Sequence, residues 1–268
     1  MTINDLGLMA EKEGIKLSTS QLEQFQKYYE LLVEWNSFMN LTAITEFDEV
    51  IVKHFLDSIL LVKAASTDVV SKAINGDKVT LVDVGTGAGF PAVPIKIAFP
   101  NIKVTLIDSL NKRIKFLNEV ISVLGLTDIE AIHSRAEEGA AGKLREKYDI
   151  AVSRAVANLS TLSEYCLPYV KVGGVFVAYK SEELLSPRKT DAKELEELDK
   201  NSIKYLLTQK CEKDVCGKAV TVLGGSIENI YEYSLIDNYR CLCVIRKEKT
   251  TPKKYPRKAG LPGKEPIL

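Results

Sequence analysis

The sequence lacks any long apolar segment. No run of eighteen apolar residues occurs in its 268 residues, so no membrane-spanning helix is predicted. The first residues are polar and acidic rather than arranged as a signal peptide, which predicts a cytoplasmic protein. The five cysteines are an odd number, and their spacing makes no disulfide framework. With only two histidines and no paired CxxC motif, the chain offers few metal ligands, and we predict that it holds no metal.

The chain also has no net charge, since 36 basic residues balance 36 acidic ones. This balance argues against a protein whose whole surface is built for nucleic acid. The charge is unevenly placed, however, because the segment from Arg246 to the C-terminus carries eight basic and two acidic residues. A basic run of this kind is either a solvated end or an arm that binds nucleic acid.

The order of apolar patterns predicts an α/β fold. Three helical segments come first, and one of them has apolar residues at three- and four-residue steps from Leu22 to Val33. Short β-branched runs then alternate with helical stretches, which is typical of a doubly wound, mostly parallel sheet covered on both faces. Two strands joined at Asp237-Asn238 close it as an antiparallel terminal hairpin.

We therefore predict three parts of the chain. Residues 1–70 form an N-terminal helical extension, 71–248 form the α/β domain, and 249–268 form a basic tail. Within the α/β domain, residues 184–214 read as a charged helical insertion.

The stretch DVGTGAGFPAVP places three alternate glycines directly after the first predicted strand. Gly85, Gly87 and Gly89 follow the pattern D-x-G-x-G-x-G rather than the G-x-G-x-x-G of dinucleotide-binding enzymes, and two nearby prolines remove N–H groups that a pyrophosphate would need. Asp108 ends the next strand, where an acid can accept the hydroxyls of a ribose. These features predict S-adenosylmethionine as the cofactor and the class I methyltransferase fold. The alternative is that the glycines mark only a tight turn.

Several further stretches resemble one family, the bacterial 16S ribosomal RNA guanine-N7 methyltransferases, also called the glucose-inhibited division protein B family. The resemblance spans almost the whole chain, and the 184–214 segment is longer than the family usually needs. It rests on WNSFMNLTAIT, KHFLDSI, DVGTGAGFPAVPIKI, DSLNKRIKFL, SRAEE, SRAVANL, the LGG at 223–225 and TPKKYPRKAGLPGKEPI.

The resemblance implies methyl transfer from S-adenosylmethionine to N7 of a guanine near the decoding centre of small-subunit ribosomal RNA. It implies the RNA or the 30S particle as partner, and we expect a monomer. Carried over by position, the family's cofactor contacts fall on Gly85, Phe90, Ala136, Glu137 and Arg154. For Glu137 the alternative is a helix-start acid favoured by the dipole, and for Arg154 a surface ion pair.

The implied reaction needs no general base, because guanine N7 carries a lone pair and no proton. Positioning is then the main catalytic device. Arg154 is a candidate to position the guanine, since arginine pairs readily with guanine O6. In the basic tail, which we expect to be flexible, the candidate RNA-binding residues are Lys253, Lys254, Tyr255, Arg257 and Lys258.

Four other residues in the matching stretches are given structural roles. His54 and Asp57 share a helix face, and a mutual hydrogen bond that fastens the N-terminal helices is favoured over a role in the RNA pocket. Trp35 and Asn40 are likewise expected to have structural roles. Three functional alternatives stay open: a class I methyltransferase with another substrate, a nicotinamide-dependent oxidoreductase, and a non-catalytic ribosome-binding factor.

Overall fold

The computed structural model describes residues 1–154, 156–199, 202–236 and 238–268. Its helices are α1 (Ile3–Lys12), α2 (Thr19–Met39), α3 (Phe47–Val50), α4 (Asp57–Ile59), α5 (Asp68–Ile74), α6 (Ala92–Ala98), α7 (Asn111–Val123), α8 (Ala136–Ala141), α9 (Leu159–Cys166), α10 (Ala192–Glu197), α11 (Ile203–Gln209), α12 (Glu212–Val222) and α13 (Leu261–Lys264). Its strands are β1 (Thr80–Val84), β2 (Lys103–Asp108), β3 (Ile129–His133), β4 (Tyr148–Arg154), β5 (Val170–Lys180), β6 (Gly225–Leu235) and β7 (Asn238–Lys247).

The chain divides into two compact units. The first contains Met1–Ala136 and Tyr148–Arg154, and the second contains Glu137–Lys147 and Ala155–Leu268. The boundaries predicted from the sequence at residues 70 and 248 stay a prediction. In the described parts of the chain, no helix is both long enough and apolar enough to cross a membrane.

The first unit contains the predicted parallel strands, in the order β3-β2-β1-β4. The chain runs outward from β1 to β3 and then returns to the other side of β1 with β4. Strand order therefore reverses beside β1, and in open α/β sheets ligands bind outside the carboxyl ends of the strands at such a point. The predicted alternation of strand and helix is confirmed for this part of the chain.

The N-terminal helices of the first unit begin where the sequence allows a cap. Ser18 caps α2, because its hydroxyl accepts the N–H of Gln21 at 3.2 Å while the Gln21 side chain accepts the N–H of Ser18 at 2.8 Å. The helical segment that begins at Phe47 is composite, because a π-helical turn at Ile51–Leu56 and a 3₁₀ turn at Leu60–Ala64 interrupt it. Such turns are frequent at functional sites.

Aromatic side chains form the core between these helices. The rings of Phe25 and Phe55 are 5.0 Å apart, and those of Tyr28 and Phe55 are 5.4 Å apart. All three are fully buried. Rings in such offset and tilted arrangements gain stability beyond their buried area, so this cluster fixes α2 against the π-helical turn.

The second unit contains three strands in the order β5-β7-β6, and both pairings are antiparallel. The predicted terminal hairpin is thus confirmed, while Asp237 at its turn lies outside the described residues. Cys241 and Cys243 alternate along β7 and are both fully buried, as their spacing predicts. The charged 184–214 segment contains α10 and α11.

A lysine is fully buried at the end of β7. The ammonium of Lys247 donates to the carbonyl of Leu167 at 2.7 Å and to the hydroxyl of Thr251, and lies 3.5 Å from a carboxylate oxygen of Glu146. Burial lowers the pKa of Lys247 to about 8, and the Glu146 carboxylate offsets part of that decrease.

This lowered pKa predicts a pH dependence of stability. Between pH 8 and 10.5 the unfolded chain keeps the Lys247 proton that the folded chain has released. Raising the pH through this window should therefore stabilise the protein relative to Lys247→Met, by at most about 1.4 kcal/mol per pH unit. Urea unfolding of both proteins from pH 7 to 10 measures this difference. Parallel stability curves would contradict it.

Candidate functional site

The glycine loop after β1 holds three glycines in the left-handed region, with φ of +75° at Gly85, +61° at Gly87 and +98° at Gly89. Two of these glycines have different surroundings. A Cβ on Gly89 would lie 2.6 Å from the Tyr28 hydroxyl and 2.7 Å from a Val93 methyl, whereas a Cβ on Gly87 would meet nothing within 4 Å. Gly89 is therefore required by internal packing, and Gly87 faces open space.

Buried polar groups hold this loop in place. Asp83, at the end of β1, accepts hydrogen bonds through one carboxylate oxygen from the Thr86 hydroxyl at 2.8 Å and the Ala92 N–H at 3.2 Å. From the helical side, the Tyr28 hydroxyl donates to the carbonyl of Ala88. Hydrogen bonds from these buried side chains hold the loop in one conformation.

The second carboxylate oxygen of Asp83, Oδ1, is buried and has no hydrogen-bond partner among the described residues. Burial raises the pKa of the Asp83 carboxyl to about 7, although the hydrogen bond from Thr86 lowers it in part. A buried acceptor without a partner is costly, so this oxygen is suited to a cationic or hydrogen-bonding ligand group. Asp83 is not among the site residues predicted from the sequence, although the D-x-G-x-G-x-G pattern begins with it.

Asp108 ends β2 beside the glycine loop. Its carboxylate accepts the N–H of Gly87 at 3.0 Å, the N–H of Leu110 at 2.9 Å and a guanidinium N–H of Arg113 at 3.2 Å. An ionised carboxylate has about four acceptor sites, so these three bonds leave room for about one more. The structure thus brings Asp108 together with the glycine loop.

Phe90 follows the loop and is enclosed by residues of the first unit. Its ring lies 4.5 Å from the ring of His54, in a stacked arrangement, and 5.4 Å from the ring of Tyr28. The Arg154 guanidinium lies 5.1 Å from the ring centroid on one face. The ring is almost fully buried, so its contacts are mainly with the protein.

Arg154, at the end of β4, links the parallel sheet to the composite helix. It donates to the Asp57 carboxylate at 2.9 Å, to the carbonyl of Lys53 at 3.1 Å and to Nδ1 of His54 at 3.3 Å. Arg154 thus bonds to both His54 and Asp57, and the hydrogen bond expected between those two residues stays a prediction. The Asp57–Arg154 pair is a buried ion pair rather than a surface one, since Asp57 is 2% and Arg154 13% exposed.

Ala136 and Glu137 begin α8. Ala136 belongs to the first unit and is half-buried, and Glu137 belongs to the second unit and is buried. The carboxylate of Glu137 accepts the N–H of Gly260 at 2.7 Å, so within its unit this acid holds the C-terminal segment. Its place in the first turn of the helix also suits a negative charge.

The basic C-terminal segment, residues 249–264, is fastened to the second unit, and we name it the C-terminal strap. Arg257 bonds to the fully buried carboxylate of Glu164 through two nitrogens at distances of 2.6 to 3.1 Å. Arg145 donates to the carbonyls of Thr251 at 2.6 Å and Tyr255 at 2.8 Å. The prediction of a flexible arm is therefore wrong, because two buried acids and a half-buried arginine supply partners that the local sequence does not reveal.

The strap nevertheless presents positive charge to solvent. Its lysines are exposed, whereas Tyr255 and Arg257 are half-buried. The Lys254 ammonium lies 5.2 Å from the centroid of the Tyr255 ring. Among the candidate RNA-binding residues, the exposed cations are Lys253, Lys254 and Lys258.

The comparisons with known proteins fit this geometry. The family model of GidB, rRNA small subunit methyltransferase G, matches residues 21–215. The chain belongs to this family. It is 50% identical to the ribosomal RNA small subunit methyltransferase G of Lachnoclostridium phytofermentans over 258 residues, which cover 95% of this chain and 93% of that protein. Against the protein of the same name from Staphylococcus epidermidis, it is 44% identical over 100% of this chain and 99% of that one.

Solved structures of other proteins share the fold of this member of the rRNA small subunit methyltransferase G family. A putative sarcosine dimethylglycine methyltransferase from Galdieria sulphuraria gives a TM-score of 0.52 at 14% identity, over 76% of this chain and 89% of that one. A putative methyltransferase from Bacillus halodurans gives 0.50 at 17% identity, over 72% and 99%. The class I methyltransferase fold expected from the sequence is confirmed.

The buried ion pair generates a stability prediction. Asp57→Ala leaves the largely buried Arg154 guanidinium without its carboxylate, and should lower the free energy of unfolding by about 3–5 kcal/mol. Asp57→Asn keeps an acceptor oxygen and should cost less. Urea unfolding measures both values. As a control, Asp48→Ala removes an exposed aspartate paired with the N-terminus, and should change stability little. If Asp57→Ala and Asp48→Ala were equally stable, the buried Asp57–Arg154 ion pair would not have the stabilising role described here.

Proposed function

We propose that the protein transfers a methyl group from S-adenosylmethionine to N7 of a guanine near the decoding centre of small-subunit ribosomal RNA. The observation that carries the proposal is the near-full-length similarity to relatives named ribosomal RNA small subunit methyltransferase G, together with the glycine loop in the first unit. The substrate is free 16S ribosomal RNA or the 30S particle. We place the protein in the cytoplasm, as a monomer.

The residues of the first unit fit S-adenosylmethionine in three respects. The open space at Gly87 lets a ligand lie against the loop, and the remaining acceptor capacity of Asp108 suits one ribose hydroxyl. The unpartnered Oδ1 of Asp83 suits the ammonium of the cofactor's amino-acid part. When bound, the cofactor supplies an electrophilic methyl group on its sulfonium.

Some of the other proposed cofactor residues shape the glycine loop, and the rest are assigned by the family resemblance. Gly85 gives the loop its turn, whereas Gly89 and Phe90 shape it through their packing against the N-terminal helices. The proposal also includes Ala136, Glu137 and Arg154, which the family resemblance assigns to the cofactor.

This chain's part in the chemistry is to orient the groups that react. Guanine N7 offers an in-plane lone pair and loses no proton, so no side chain has to act as a base. Alignment alone supplies up to roughly 7–11 kcal/mol in favourable cases. Arg154 uses three of its five N–H donors on Lys53, Asp57 and His54, and the others suffice to bond guanine O6.

The proposed function predicts a cofactor defect at Gly87. Gly87→Val fills the open space at the loop, and should abolish S-adenosylmethionine binding in calorimetry and tritium transfer to 30S particles. Gly125→Val is the matched control, since Gly125 has the same φ of +61° and equally open surroundings at the end of α7. Both variants carry the same backbone strain, so only cofactor binding separates them. Equal cofactor affinity in the two variants would reject the loop as the binding site.

The product is identified by mass mapping of ribosomal RNA. RNA from cells that lack the protein should miss one 7-methylguanine, and the purified protein should restore it on isolated 30S particles. Cofactor binding with methyl transfer only to other molecules would favour a methyltransferase with another substrate. Particle binding without any transfer would favour a non-catalytic ribosome-binding factor.

We further propose that the strap contacts RNA phosphates through Lys253, Lys254 and Lys258. Arg257 acts by fastening the strap to Glu164, and Tyr255 offers a ring to an unpaired base. Between Lys249 and Lys264 the strap has six basic residues and no acidic one. Its ordered backbone presents these charges without first having to be immobilised.

This assignment predicts a change in the salt dependence of RNA binding. Replacing Lys253, Lys254 and Lys258 by glutamine should weaken binding and reduce the slope of log affinity against log salt by roughly 0.7–0.9 per lost contact. The control replaces the exposed Lys12, Lys16 and Lys27, which removes the same charge from the first unit. Filter binding at several salt concentrations measures the slopes. Equal slopes in both triple variants would contradict the role of the strap. Truncation is a poorer test, because it leaves the buried Glu164 without Arg257.

A further inference from the structure

An exposed aromatic side chain lies at the C-terminal end of α2. Phe38 is 66% exposed, although it belongs to an otherwise well-packed unit. Its ring is 5.5 Å from the ring of Trp35, and Trp35 in turn lies 5.6 Å from the buried ring of Phe116 on α7. The row of three rings thus begins in the core at Phe116 and ends at Phe38, which is exposed to solvent.

Positive charge adjoins these rings. The ammonium of Lys112, in the first turn of α7, donates to the carbonyl of Met39 at 3.4 Å, next to Phe38 in the chain. Lys115 is exposed and lies three residues further along, on the same face of α7 as Lys112. Glu34 is exposed one turn before Phe38 on the same face of α2, so a negative charge also lies near these rings.

The start of α7 lies beside the glycine loop. Leu110, which is 42% exposed and directly precedes α7, donates its N–H to Asp108. The same carboxylate accepts the N–H of Gly87. The start of α7 and the glycine loop therefore lie at the same carboxyl edge of the parallel strands, within one unit.

We propose that the surface formed by Trp35, Phe38, Lys112 and Lys115 binds an unpaired base of the RNA substrate together with its phosphate. The inference rests on the proposed function, in that ribosomal RNA is the substrate. Bases in single-stranded loops stack on aromatic side chains, and lysines beside the rings neutralise the backbone. An exposed ring backed by a second, anchored ring is rigid, so a base stacks on it at little entropic cost.

The chain offers a direct probe, because Trp35 is its only tryptophan. Adding a small-subunit RNA fragment that contains the target loop should quench the fluorescence of Trp35. Phe38→Ala should weaken RNA affinity about 5- to 100-fold, the range for loss of one stacked base, and Phe38→Tyr should retain most of the affinity. Lys112→Gln should lower the salt slope of binding by roughly 0.7–0.9.

Two controls separate this surface from general effects. Leu8→Ala removes another exposed apolar side chain, 60% exposed on α1, and should leave RNA affinity unchanged. Because Phe38 is exposed, the unfolding midpoint of Phe38→Ala should equal that of the wild type. Calorimetry should give unchanged S-adenosylmethionine affinity for the same variant.

The possible outcomes distinguish this inference from the proposed function. RNA binding with full affinity by Phe38→Ala, or no quenching of Trp35 by RNA that binds tightly, overturns the inference even if methyl transfer is normal. Quenching and weakened binding by Phe38→Ala support it even if no methyl is transferred, which would overturn only the proposed function. A Trp35 signal that changes with protein concentration in the absence of RNA assigns the surface to a second copy of the chain, and overturns the inference.

Discussion

The structure of the first unit depends on keeping the glycine loop in a conformation that most residues avoid. Three glycines at positive φ give the loop its shape but contribute no side chain to hold it. The holding groups come from three other elements: Asp83 at the end of β1, Asp108 at the end of β2, and Tyr28 on α2. Each bonds to the loop backbone or to its threonine from a buried position, so the N-terminal helices help to define the shape of the candidate cofactor site as well as covering the sheet.

In the second unit, too, one segment is held in place by side chains from other elements, and here those side chains are charged. Four charged residues that are half-buried or buried each bond to the strap: Glu137, Arg145, Glu146 and Glu164. A buried carboxylate without a partner is strongly unfavourable, and this cost makes the docking of the strap specific. The acidic residues that receive the strap are withdrawn from solvent, and the outward charge is left to its lysines. Anchoring and RNA contact are thus assigned to different side chains of one short segment.

Much of the fold was predictable, because strands and helices leave a period in the sequence. The four parallel strands and the terminal antiparallel hairpin follow from local patterns. Contacts distant in sequence were not predictable. Arg154 and Asp57 are 97 residues apart, and Arg257 and Glu164 are 93 apart, so nothing in the local sequence pairs them. For the same reason a proline- and lysine-rich tail suggested disorder, although its partners lie elsewhere in the chain.

The position of the strap at the C-terminus affects how the protein matures. During synthesis, Glu137, Arg145 and Glu164 leave the ribosome before the strap has been made. These three residues therefore lack their hydrogen-bond partners until the strap is synthesised and docks. Until then the Glu164 carboxylate lacks its arginine, and a polypeptide that stops short of Arg257 keeps that defect permanently. Loss of Arg257 therefore produces one specific defect, an unpaired carboxylate inside the second unit, rather than a general loss of packing.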